Sequence, residues 1–384
     1  MKQILKGNLV VNTSGGGNSS SSKERNSNIE LFRIIVMMLI VMHHYVVNSG
    51  LIDLVNANPL SAPSLFYASV GFWGKTGINC FVLITGYFMC TSRITLRKFL
   101  KLICQIYTYN VLFYFLFLIT GHETTPLLSF FQQTTMLLGF SSSFTICFLF
   151  FWLGIPFLNI LIRNLNKKQH LMLLLLNLLI YTIIGSIPFV EVRINYVLWF
   201  GVLYIVASYI RLYGLYKNNS IKTYGILTLL ALVVSLASIY AITYLKHYYP
   251  FLVKNMPVDY MISDCNHILG FVLALSAFMY FKNLSIKKSK LINTIAASSF
   301  GVLLIHANSS AMRQWLWYDT IDCVGHYDAP YYWLYAIGCV FVIYASCTII
   351  DIIRIRTIET PLLNITERLC LRFWKSIKNK YNIE

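Results

Sequence analysis

Residues 29–47 read IELFRIIVMMLIVMHHYVV. From Leu31 onward the stretch is almost unbroken hydrocarbon. About 20 mostly apolar residues are what a helix needs to cross the core of a bilayer. The first expected span is therefore roughly 31–49. Working outward from it, nine further segments have that length and character, at roughly 70–91, 102–120, 143–162, 170–189, 195–213, 223–245, 264–281, 291–311 and 331–353, with 291–311 the least apolar. The expected fold is an all-α polytopic membrane protein of about ten transmembrane helices.

Composition agrees. Hydrophobic residues make up 57% of the 384 and charged residues 12%, against about 25% charge in soluble domains, and mean hydropathy is +0.64. A soluble fold of this length needs more polar residues to cover its surface, so most of the surface is expected to face lipid.

The net charge of +17 has two readings, a nucleic-acid surface or cytoplasmic loops that orient a membrane protein. Mapping the 31 Lys and Arg decides between them. The N-terminal region, the alternate loops (Arg93 to Lys101, Arg163 to Lys168, Arg211 to Lys222, Lys282 to Lys290) and the C-terminal region from Arg354 carry 26 of them. The opposite side carries five, namely Lys75, Arg193, Lys246, Lys254 and Arg313. The asymmetry follows the positive-inside rule with both termini cytoplasmic. Charges divided among short loops form no patch for nucleic acid.

Residues 1–28, rich in Gly, Ser and Asn, are expected to be a disordered cytoplasmic tail; 29–355 the membrane domain; 356–384 a basic cytoplasmic tail, in which Leu369, Leu371, Phe373 and Trp374 among basic residues point to an amphipathic helix along the membrane. No cleavable signal peptide is visible. Nine cysteines with no CxxC pair indicate neither a metal site nor a disulfide framework. Most are expected as small buried thiols, and a bond between Cys265 and Cys323 is left open. Trp73, Tyr196, Trp199, Tyr213, Trp315, Trp317, Tyr331 and Trp333 fall near span ends and read as an interfacial aromatic belt.

Ionisable residues inside spans are costly and point to function. The first span holds Glu30, Arg33, His43 and His44. At about 100° per residue, the eleven steps from Arg33 to His44 make three turns with about 20° of drift, so the two share a face, with His44 about 16 Å deeper and Glu30 one turn below Arg33. His43 is about 80° off that stripe. An imidazole there can take a proton near neutrality and act as a general base on a hydroxyl. The competing account is that the histidines only hydrogen-bond a neighbouring helix. The run SRITLRKFLKL, 92–102, offers Arg97, Lys98 and Lys101 for phosphate; on spacing alone a plain topology anchor is the better reading. His306, in FGVLLIHANSS, reads as an interfacial hydrogen-bonder, and Asp351 as an interfacial ion-pair partner beside Arg354 and Arg356, with Glu359 nearby.

These fragments together resemble the acyltransferase-3 family of bacterial membrane proteins, over residues 25 to about 363. That family opens with an acid three before an Arg and a His eleven after it, here Glu30, Arg33 and His44. A Gly-rich second span follows, here GINCFVLITGYFM at 77–89, then a basic element at the start of the third span. FGVLLIH at 300–306 and IETP at 358–361 complete the order. Lys98 and Lys101 stand where the family has arginines and cannot make a guanidinium's bidentate contact, so a coenzyme A contact there is weaker or differently arranged. Leu304 replaces a common aromatic and Ala307 an Asp.

The resemblance implies transfer of an acyl group, most often acetyl, from acyl-coenzyme A to a hydroxyl of a surface polysaccharide or lipid-linked sugar, in the bacterial cytoplasmic membrane and without a metal. It assigns catalysis to His44 with Glu30 and Arg33 in support, and the nucleotide phosphates to Arg97, Lys98 and Lys101; His43, His306 and Glu359 are secondary candidates. The alternative is a transporter or flippase of a lipid-linked sugar, which calls for inverted repeats and broken helices; neither is evident in the sequence. A sensor or scaffold with a dead site is the third reading, and its mark, loss of His44, is absent.

Overall fold

The computed structural model describes residues 26–380 apart from 93, 124–126, 129, 132–143, 189, 191, 193, 194, 216–219 and 255. The expected N-terminal tail, through residue 25, and the charge-map residues Arg93, Arg193 and Lys217 lie outside the described residues. Among the described residues every regular element is a helix.

Fourteen helices carry labels here: α1 (Ser27–Val47), α2 (Leu51–Ala57), α3 (Ala62–Gly71), α4 (Gly74–Met89), α5 (Leu96–Ile119), α6 (Phe144–Asn164), α7 (Lys167–Asn177), α8 (Tyr196–Tyr213), α9 (Ile221–Tyr248), α10 (Ile268–Asn283), α11 (Lys290–Ala297), α12 (Ser299–His306), α13 (Tyr332–Arg354) and α14 (Thr360–Lys380). Among the described residues, seven helical stretches are long and apolar enough to cross a bilayer, or up to eight if the bent pair Lys290–His306 and Ser310–Thr320 is one span. The chain is an all-α polytopic membrane protein. Apolar residues cover its outside: Ile226, Leu229, Leu230 and Val233 of α9, one helical stripe, are each more than half exposed. Water tolerates few contiguous surfaces of this kind; lipid does.

All ten expected segments are helical, but three depart from plain spans. The segment at 70–91 divides at Phe72 and Trp73, leaving α4 with 16 residues, and α10 also has 16, about 24 Å of helix each. The segment at 291–311 breaks twice. Its helix is interrupted at Ser298, and beyond His306 the chain turns through 95°. Asn308 folds its amide back to the Leu304 carbonyl, and Ser309 Oγ accepts from the Met312 N–H to start the return segment. The absence of broken helices expected from the sequence is thus corrected.

α1 is the hub. It packs on α2, α3, α4, α10, α11, α12 and α13, with Ile29, Phe32, Val36, Met37, Ile40, Val41 and Tyr45 buried. α4 approaches it closely because position 74 is glycine: a Cβ there falls 2.3 Å from the His43 ring. Small residues let helix backbones approach without a hydrophobic driving force. At the far end of the chain, α13 opens into a wider turn over Ile355–Glu359 before α14. Pro361 has no N–H for the carbonyl four residues back, and its ring crowds that position.

One further expectation is corrected, and the open question of a Cys265–Cys323 bond is answered. Trp73, Trp199 and Trp317 are buried, 5%, 1% and 0% exposed, so they are core side chains rather than belt; Trp315, Tyr331 and Trp333 remain outward. Trp199 donates its indole N–H to buried Asn79, which gives its polar edge a partner inside the bundle. Cys265 and Cys323 are free, buried thiols.

Candidate active site

α1 runs unbroken from Ser27 to Val47, so Glu30, Arg33 and His44 do share its length and face. The structure brings the first two together: Glu30, 5% exposed, has a carboxylate oxygen 4.0 Å from Arg33 Nε. Their end of α1 is pinned by Asn28, whose amide donates to the Phe281 and Lys282 carbonyls, and by Ser27, which donates to Asn293. His44 lies eleven residues on, about 16 Å along the axis. The acid and the guanidinium therefore do not touch the imidazole, as the eleven-residue spacing leads one to expect.

What does touch it is His306. His44 Nδ1 lies 2.9 Å from His306 Nε2, and His306 Nδ1 lies 2.6 Å from the Val302 carbonyl oxygen one turn back in α12. His306 is 0% exposed, whereas His44 keeps part of its surface accessible. The break after His306 places that residue at the end of its helix and against α1. Trp317, on the return segment, meets the His306 ring edge-on at 6.4 Å and Tyr45 edge-on at 5.9 Å, so an aromatic wall backs the pair. His306 is thus an interior partner of His44 rather than an interfacial residue. His43 points elsewhere, with Nδ1 donating to the Gly71 carbonyl at 2.6 Å and the ring seated on Gly74. It fastens α1 to α3 and α4.

The basic element lies in the first turns of α5 rather than in a loop, because Thr95 Oγ1 caps the helix by accepting from the Lys98 N–H. Its side chains already hold partners. Arg97 pairs with Glu367 of α14 and donates to Asn364 at 3.0 Å; Lys98 donates to Ser92 at 2.7 Å; Lys101 pairs with Glu359 at 2.6 Å. Glu359 in turn accepts from Arg354 at 3.0 Å, and Arg354 donates to Asp351 at 2.8 Å.

Asp351 is 0% exposed and Arg354 5%, so the expected interfacial pair is an interior one. Tyr109 and Gln105 of α5 both donate to the same Asp351 oxygen, at 2.6 and 3.4 Å. A Cβ on Gly301 falls 2.2 Å from the Asp351 carboxyl carbon, which draws α12 against α13 one residue from Val302. Sequence reasoning named Asp351 and Arg354 but not their burial, and it missed Tyr109 and Gln105. The signal available was a single acid in the apolar run of α13. Next to Ser27, which donates to Asn293, a cavity of about 400 Å³ has Lys290, Asn293, Thr294 and Arg356 on its lining and no carboxylate.

The arrangement has two ends. One gathers cations and carboxylates from α5, α13 and α14; the other, toward the end of α1, holds an interior imidazole pair. No curated protein and no solved structure matches the chain. The acyltransferase-3 family model, described as an acyltransferase domain, matches residues 26–351, from the first residue before α1 through both histidines to Asp351. The chain is a membrane acyltransferase and belongs to the acyltransferase-3 family.

Proposed function

We propose that the protein transfers an acyl group, acetyl in the first instance, from acyl-coenzyme A to a sugar hydroxyl of a surface polysaccharide or its lipid-linked precursor, in the bacterial cytoplasmic membrane. The observation that carries this reading is the inward-turned, partly accessible His44 held against a fully buried partner. His44 removes the proton from the acceptor hydroxyl as its oxygen attacks the thioester carbonyl. The C–S bond breaks as the tetrahedral intermediate collapses, and the leaving thiolate takes the proton back from His44. The products are the sugar ester and free coenzyme A. No metal is called for in this scheme.

The charge asymmetry supports a cytoplasmic position for both termini and the basic loops. The donor's phosphates are then met by Arg97, Lys98 and Lys101. Binding there exchanges the Glu367 and Glu359 contacts for phosphate contacts, an exchange open to half-exposed pairs. Glu30 and Arg33 lie on α1 about three turns before His44.

The break after His306 also favours a second reading, passage of a lipid-linked sugar without covalent chemistry, since broken helices recur at transporter substrate sites. One experiment separates the two. Surface glycan is analysed by mass spectrometry and NMR from strains carrying the wild-type chain, no chain, or His44→Ala. The acyltransferase reading requires that one ester vanish in the last two while the glycan backbone stays at normal level. Loss of the backbone itself is the transporter outcome.

A further inference from the structure

We infer that His306 is a positioning residue that fixes which nitrogen of His44 does the chemistry, by holding it as the Nδ1–H tautomer with Nε2 bare. The inference rests on the reading of His44 as the base.

The assignment follows from donors and acceptors alone. A carbonyl oxygen only accepts, so His306 Nδ1, 2.6 Å from the Val302 carbonyl oxygen, carries the hydrogen. A neutral imidazole has one N–H, so His306 Nε2 is a lone pair. His44 Nδ1, 2.9 Å from it, must then be the donor. The single N–H of neutral His44 is thereby used, and its Nε2, which makes no hydrogen bond among the described residues, is left as the lone pair that takes a proton. The order is Val302 carbonyl, His306, His44, each accepting from the next. When His44 takes the hydroxyl proton on Nε2 it becomes a cation, and its Nδ1–H bond to the His306 lone pair strengthens, as bonds from charged donors do. A hydrogen-bonded third group that sets the tautomer and orientation of a catalytic histidine is a recurring device. Here a second imidazole does it, with no carboxylate within the pair. Trp317 and the close Asp351–Gly301 packing hold α12, and so His306, in register.

The test compares two amides at position 306 in purified protein reconstituted in liposomes, with labelled acetyl-coenzyme A and an acceptor glycan extract. His306→Gln places an amide oxygen near the position of Nε2 and can accept from His44. His306→Asn reaches only as far as Nδ1, keeping the Val302 contact but not the His44 contact. His44→Ala is run beside them. The inference expects kcat to fall by about 10²-fold in His306→Asn, with the donor KM and the amount of inserted protein unchanged. His306→Gln should regain at least about a tenth of the wild-type rate. Equal rates in the two variants overturn it, as does a donor KM that moves with kcat. If His44→Ala itself keeps its rate, the failure lies with the base assignment; if His44→Ala is inactive and His306→Asn is not, it lies with His306 alone. Insertion is read from protease protection and a melting curve in detergent. Variants that fail it are replaced by Nδ1-methylhistidine at position 44, which removes the hydrogen given to His306 and must lower the rate.

Discussion

Lys101 of α5 and Glu359 of the turn after α13 are joined at 2.6 Å across 258 positions of chain. The link ties the start of one span to the end of another. With Lys101 half-exposed, such a pair contributes at most about 1 kcal/mol. Changing Lys98 and Lys101 together to Ala is therefore expected to leave the melting temperature in detergent within a few degrees of wild type, while the apparent KM for acetyl-coenzyme A rises. An unchanged KM returns the element to a topology anchor and directs attention to Lys290 and Arg356 at the neighbouring cavity.

Asp351 behaves differently because it is buried. Asp351→Ala leaves Arg354, 5% exposed, with Glu359 as its remaining carboxylate and strips Tyr109 and Gln105 of their acceptor. Removing one partner of a buried pair costs about 3–5 kcal/mol. The expected outcome is a sharp fall in the amount of folded protein recovered from membranes, measured by fluorescence-detected size-exclusion chromatography. A normal yield contradicts the interior placement of the pair.

The seat of His43 on Gly74 makes a size-compensation test. Gly74→Ala drives a methyl to within 2.3 Å of the His43 ring and should lower both yield and activity. His43→Ala makes room, so the double variant is expected to recover most of the loss, a coupling that contact pairs show and distant pairs do not. Additive losses contradict the contact. His43→Ala alone should be milder than His44→Ala.

Much of the fold was legible in the sequence because hydropathy is a local property: each of the ten apolar segments is helical. The breaks were not. At 72–73 and beyond His306 they depend on how closely other helices approach, on Gly74 against His43 and on Asn308 folding back to Leu304, and no proline or charge run announces them. In the site, helical period alone placed His44 on the Arg33 face, since both lie on one helix. It could not foresee the pairing of His306 with His44, which spans 262 positions, nor the burial of Asp351, supplied by α5 side chains 242 and 246 positions away. Arg354, three residues on, was in plain view, and so the pair passed for a surface one.

The central claim is that His44 is the base, and the most direct measurement is ester formation from labelled acetyl-coenzyme A by the reconstituted wild-type and His44→Gln proteins at equal inserted amounts. The account predicts a fall in kcat of about 10² to 10⁴-fold for the variant. A variant that forms ester at the wild-type rate contradicts it.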